Sequence, residues 1–198
     1  MKMKSSFELS DIVTKTLKSK LQAYHGLFRH NKCEAKEIEE LIATALDIDP
    51  EYAGAVEWNP GSHEPGSDII IRKKKFSIKS GVIKKDVLVV SGNRLTRAKG
   101  DFNTINSLLK SYVSDYTVCF VYDKEAGTYQ IVYIDASVFS YPSSAQSWVA
   151  KMGKKEISAY RWTPPSGLEV EIRPSMSWQV WWSIPMDLCR MGPLLTTK

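Results

Sequence analysis

Asp68 and Lys79 lie eleven residues apart in one stretch of the chain. It runs His63-Glu64-Pro65-Gly66-Ser67-Asp68-Ile69-Ile70-Ile71, then Arg72-Lys73-Lys74-Lys75, then Phe76-Ser77-Ile78-Lys79-Ser80-Gly81. A carboxylate opens a strand of three β-branched residues, and a lysine alternates out of the strand expected to return beside it. Antiparallel neighbours bring the start of one strand next to the end of the other, so the two side chains can meet. Ser77 and Lys79 are two apart and share one face, while Phe76 and Ile78 point the other way, toward a core. Such a pair can hold a divalent cation and a protonated amine against a phosphodiester. Asp68 suits Mg²⁺, a hard cation that prefers carboxylate, water and phosphate oxygens. The metal polarises the phosphate and acidifies a water, while Lys79 positions that water or offsets charge in the transition state. A hydrolytic metal site usually needs a second carboxylate. Glu34, four residues before Ile38, is expected on the inward face of the preceding helix, and Glu64 is the next candidate.

The elements that must position these residues are legible in outline. Residues 7 to 29 carry Leu9, Ile12, Val13, Leu17 and Leu21 at helical spacing, with Ser10-Asp11 as a cap. Residues 34 to 47 carry the stripe Ile38, Leu41, Ile42, Ala45 and Leu46. Glu37 and Glu40 fall to the other side and Glu39 sits at the border. Strands are expected at 53–58, 68–71, 75–80 and 86–91, the last ended by Gly92-Asn93. A helix capped by Asp101 follows over 101–113, with Phe102, Ile105, Leu108 and Leu109 inward. Residues 117–122 and 129–134 form a hairpin, 143–152 reads as a short helix, and 168–173 as a strand. The order predicts an α/β domain, a mixed central β-sheet flanked by helices.

Composition sets the outer bounds. The 198 residues are 43% hydrophobic and 25% charged, as in one ordinary globular domain. No apolar run reaches the roughly 18 residues of a membrane span, and no apolar signal core follows the basic N-terminus, so the expectation is a soluble chain retained in the cytoplasm. Cys33, Cys119 and Cys189 form no metal-binding pair and no disulfide framework. The net charge of +5 is unevenly placed: Arg72 to Lys110 holds eleven basic and two acidic residues, and the rest of the chain is net acidic. A patch of this kind suits a polyanion, because neutralised phosphates release counterions.

This part of the chain resembles the PD-(D/E)xK nuclease superfamily, and type II restriction endonucleases in particular. Gly66-Ser67-Asp68-Ile69-Ile70 matches the first half of the motif and Ser77-Ile78-Lys79 the second, in its Ser-x-Lys variant. The resemblance covers roughly residues 34 to 122. It implies a restriction-endonuclease-like core within a single nuclease domain, Mg²⁺ as cofactor, and sequence-specific hydrolysis of double-stranded DNA by a homodimer. The usual second acid is replaced by Ser77, so the missing carboxylate must come from elsewhere: Glu34, or downstream Asp86 or Asp101. Lys73, Lys74, Ser80, Arg94, Arg97 and Lys99 are candidate DNA contacts, and His63 stands close enough to touch the phosphate. From residue 160 onward the chain is rich in Trp and Pro. Trp178, Trp181 and Trp182 read as core or dimer contact, whereas Met176, Ser177 and Gln179 are candidates for base contact, Gln179 being able to pair with adenine. The rival readings are a junction-resolving or repair nuclease of the same superfamily, a non-catalytic DNA-binding protein with a degraded site, and an interaction module built on the Trp-rich tail.

Overall fold

The computed structural model describes residues 7–28, 32–58 and 67–197. Helix α1 (Asp11–Leu27) starts at Ser10, whose Oγ accepts the Val13 N–H at 3.2 Å. Its inward face is Val13, Leu17, Leu21 and His25, while Ile12, expected to join them, is exposed. Helix α2 (Ala35–Ile48) buries Ile38, Ile42, Ala43, Ala45 and Leu46. Helix α3 (Phe102–Ser111) buries Ile105 and Leu109 and is capped by Asp101, as its sequence predicts.

The strands are β1 (Val56–Trp58), β2 (Ile69–Ile71), β3 (Lys74–Lys84), β4 (Val87–Arg94), β5 (Tyr116–Asp123), β6 (Thr128–Asp135), β7 (Val149–Met152), β8 (Ile157–Trp162), β9 (Glu169–Arg173), β10 (Gln179–Pro185) and β11 (Arg190–Thr196). They form one mixed sheet in the order β11-β6-β5-β3-β4-β10-β9-β8-β7, with β2 added to β3 and β1 added to β2. Among the described residues only β3 and β5 run parallel, joined through β4 and α3; every other pairing is antiparallel. The hairpins β2–β3 and β3–β4 turn on the two-residue loops Arg72-Lys73 and Lys85-Asp86, all four at positive φ. That is the geometry whose twist matches a tight hairpin.

Each face of the sheet carries a core. On one, α1 and α2 pack over Phe76, Ile78, Val118, Phe120, Ile131 and Tyr133. On the other, α3 packs with Leu88, Val90, Cys119, Ile172, Val180 and Trp182. The coarse expectation of a mixed sheet flanked by helices therefore holds. Among the described residues no helix is long and apolar enough to cross a membrane.

Two local expectations differ from the structure. Residues 143–152 are not a helix: a 3-10 turn at Ala145–Ser147 leads into β7. All four β7 residues are exposed, so there is no apolar stripe to bury, and the segment is held by pairing with β8. The strand expected to stop at Gly92 runs on to Arg94, because β10 continues beside it. Gly92 permits this: a Cβ there would lie 2.9 Å from Trp182 Nε1 and 3.2 Å from Val180 Cβ.

Candidate active site

β3 has two edges. β5 occupies one of them along Phe76–Gly81. The other edge is shared: β2 pairs with Lys74–Phe76 and β4 with Gly81–Lys84. Between them, from Ser77 to Ser80, the two neighbours part and β3 has no strand partner on that side. A backbone donor stranded in such a fork must find another acceptor. Asp68 provides it. Its own N–H bonds to Phe76 C=O at 2.9 Å, which fixes the residue at the mouth of β2. Its Oδ2 then accepts the Ile78 N–H at 2.6 Å and the Ser77 hydroxyl at 3.1 Å.

Lys79 completes the contact. Its Nζ lies 3.4 Å from Asp68 Oδ2, and both side chains keep about a quarter of their surface in solvent (26% and 21%). Ser77 and Lys79 share a face, as their spacing predicts, and Ile78 enters the opposite core. Lys79 thus meets Asp68 at the fork. On its own side of the sheet, Lys79 borders a cleft with Ser77, Asn93, Tyr141 and Trp182 along its wall.

The carboxylate within electrostatic reach of Asp68 and Lys79 is Glu39, whereas Glu34 does not lie on the inward face expected of it. Glu34 is the exposed N-cap of α2, with extended backbone (φ −72°, ψ 164°). Its N–H donates to Glu37 Oε2 at 2.7 Å. The helical stripe begins only where helical dihedrals begin, so extrapolating it back to Glu34 fails. Glu39 instead shares its face with Ile42, Ala43 and Leu46, three, four and seven positions on, all buried. Its pKa is raised to about 7, chiefly by burial and further by the charge of Asp68, with Lys79 acting in the other direction. Glu39 is thus half-buried within electrostatic reach of both residues, and among the described residues it has no hydrogen-bond or ion-pair partner. Ala43 was the overlooked signal. Counting it into the stripe moves the centre of the inward face toward Glu39.

The other proposed donors are elsewhere. Asp86 sits in the β3–β4 turn, beyond five further residues of strand from Lys79, or about 17 Å at an extended rise. Asp101 is occupied as the α3 cap, its carboxylate accepting from Asn103 N, Thr104 N and the Thr104 hydroxyl; these bonds, Thr104's first, hold its pKa low. His63 and Glu64 lie outside the described residues.

The basic candidates are dispersed. Lys73 and Lys74 lie at the tip of the β2–β3 hairpin, the end away from Asp68, and Lys74 Nζ is 3.5 Å from Asp115. Ser80, inside the fork, has a buried hydroxyl without a hydrogen bond among the described residues. Arg94, at the end of β4, and Arg97 and Lys99, in and after the turn Thr96–Ala98, are all exposed. Met176 and Ser177 lie in the β9–β10 connection, Ser177 at φ 59°. Gln179 begins β10, opposite Arg94. The tryptophans divide: Trp182 is core, Trp178 stacks on Tyr160 at 5.9 Å, and Trp181 lies on the opposite face under Arg173.

The donor set fits a hard cation. Among the described residues Asp68 Oδ1 accepts no hydrogen bond, and Glu39 is a half-buried carboxylate whose pKa is raised chiefly by burial and further by the charge of Asp68. No three His, Cys, Asp or Glu side chains gather as a metal-holding group among the described residues, so these two carboxylates, with water and phosphate oxygens, are the donors on offer. No protein-family model matches the chain, and no curated protein does either.

Proposed function

We propose that the chain is a Mg²⁺-dependent endonuclease that cuts double-stranded DNA at a specific short sequence, a type II restriction enzyme working as a homodimer. One observation supports this reading: Asp68, Ser77 and Lys79 meet at a fork in the sheet, and Glu39 of α2 is half-buried within electrostatic reach of Asp68 and Lys79. Asp68 and Glu39 would hold the Mg²⁺. Bound there, the ion supplies Lewis-acid polarisation of the scissile phosphate and a lower pKa for a coordinated water. Ser77 and the Ile78 N–H fix the Asp68 carboxylate, leaving Oδ1 for the ion. Lys79 keeps a proton-bearing amine 3.4 Å from that carboxylate, where it can orient the attacking water and offset charge growing on the phosphate. A two-fold dimer would place one such site on each strand of a palindromic duplex.

The test is incubation of phage-sized duplex DNA with Mg²⁺ and wild type, Asp68→Ala, Lys79→Ala or Glu39→Gln. Discrete fragments are expected from wild type. Each substitution is expected to lower the cleavage rate by at least about 10²- to 10³-fold, the usual loss of a transition-state stabiliser. Cleavage that survives both Asp68→Ala and Lys79→Ala sinks the site. Duplex binding without cleavage by wild type favours the degraded-site reading, which Ser77 in place of an acid would explain.

A further inference from the structure

α1 and α2 cover the sheet only over β3, β5, β6 and β11 and the β1–β2 extension. On the same face, β4, β10, β9 and β8 carry no helix among the described residues. Alternation makes the assignment: Val170, Ile172, Val180 and Trp182 enter the α3 core, so Glu169, Glu171, Arg173 and Trp181 face the open side. Pairing aligns them in two rows. One is Arg94–Gln179–Arg173, the other Ser91–Trp181–Glu171–Arg161. This open face adjoins the fork that holds Asp68, since β4 is the strand that parts from β2 there.

Glu171 is buried at the centre of this face. Its Oε1 accepts from Arg173 Nε at 2.6 Å, and its Oε2 lies 3.2 Å from Arg161 Nη2 and 3.5 Å from Lys151 Nζ. Arg161 is consumed by carboxylates, because its Nη1 also meets Glu169 at 3.0 Å. Arg173 is different. Only Nε is engaged, and the guanidinium carbon sits 5.0 Å from the Trp181 ring centre, stacked on it. Both Nη groups are left without a protein partner among the described residues, on a side chain 42% exposed. A guanidinium held at Nε and braced by an aromatic face presents its remaining fork in one orientation. That fork matches the O6 and N7 acceptors of guanine in the major groove.

We propose that the open face of β4, β10, β9 and β8 receives the major groove of duplex DNA, and that Arg173 reads a guanine there by a bidentate contact. The inference rests on the nuclease reading and names the reader within it. Charge supports the occupant: Arg94, Lys151, Arg161 and Arg173 outnumber Glu169 and Glu171, and Glu171 is covered by the cations it organises.

The experiment is selection from a pool of duplexes with a randomised centre, using the full chain with Ca²⁺ in place of Mg²⁺. Wild type, Arg173→Lys and Arg173→Ala are compared, each followed by affinity against salt concentration. Arg173 lies at the end of β9 and bonds buried Glu171, so the lysine variant keeps a cation there and circular dichroism of both variants separates a folding defect from lost recognition. Wild type is expected to enrich a site containing guanine. Both variants lose preference for that guanine by about 10- to 100-fold while keeping the rest of the site. Arg173→Lys retains affinity for non-selected duplex and the same salt slope. An unchanged selected site in both variants overturns the proposal alone. So does a uniform loss across sequences with a salt slope shallower by about one, which marks a phosphate contact. A wild type that binds no duplex at low salt overturns the nuclease reading and this one with it.

Discussion

A half-buried glutamate on α2 and a buried one on β9 behave in opposite ways. Glu39, beside the fork, has its pKa pushed up to about 7 by burial and by Asp68. Glu171, on the open face, is also pushed upward by burial, but Arg173, Arg161 and Lys151 outweigh that and hold it below the usual value. Burial penalises both charges; the neighbours decide the sign. A carboxylate left short of positive charge is a place for a cation to bind. A carboxylate surrounded by cations is a scaffold that orients them. One arrangement suits chemistry on a phosphate and the other suits holding a recognition surface in shape.

Substitutions sharpen this contrast. The largest stability loss is expected for Glu171→Ala, which leaves three cations facing one another over a buried gap. Breaking a buried pair costs about 3–5 kcal/mol, and the partial exposure of the cations reduces this to roughly 2–3 kcal/mol, measurable by urea unfolding at pH 7. An unchanged midpoint would remove Glu171 from the role of scaffold. Next is the pH dependence of Mg²⁺ binding. The ion must displace the Glu39 proton, so affinity should rise with pH up to about 7, by as much as tenfold per unit, and flatten above. Glu39→Gln should bind more weakly and lose that dependence, as read by titration calorimetry.

The opposite sign is expected for stability without metal. The folded pKa of Glu39 lies above its ordinary value of 4.5, so its proton is held more tightly in the native state. The stability this proton confers is full below pH 4.5 and is lost as pH rises through about 7. Glu39→Gln should therefore stabilise the metal-free protein at pH 8, by about 1–2 kcal/mol after allowance for partial exposure, and change little at pH 4. Destabilisation at pH 8 would show that the Glu39 charge has an uncounted partner. The smallest effect belongs to Glu34→Ala, which alters only an exposed cap: a loss of about 0.5–1 kcal/mol, with the cleavage rate unchanged. A large fall in cleavage from Glu34→Ala would reverse the choice between the two glutamates.

Much of the central frame was legible in the sequence. The helices at 11–27, 35–48 and 102–111 and the hairpin β5–β6 follow from periodicity and capping residues that act over a few neighbours. Asp68, Ser77 and Lys79 were legible for the same reason: a hairpin and its alternation are local, and the Ser-x-Lys spacing puts both side chains on one face. Residues 143–152 were misread and β8 was not foreseen, because β7 and β8 have weak patterns of their own and are strands through pairing, whereas the strand at 168–173 was legible and is β9. Trp178, Trp181 and Trp182 looked alike as a cluster. Only the sheet separates them, sending Trp182 into the core and Trp181 beneath Arg173.

The sequence by itself determined the chemistry available: a carboxylate, a hydroxyl and an amine at fixed spacing on a β-hairpin, next to an acidic helix and within a basic segment. The tertiary structure decided which glutamate comes within electrostatic reach of Asp68, because the answer depends on the rotation of α2 against β3, and a helix start one turn away changes the residue presented. It also brought Arg94, Gln179 and Arg173 into one row, since strands far apart in the chain acquire a common face only when they pair.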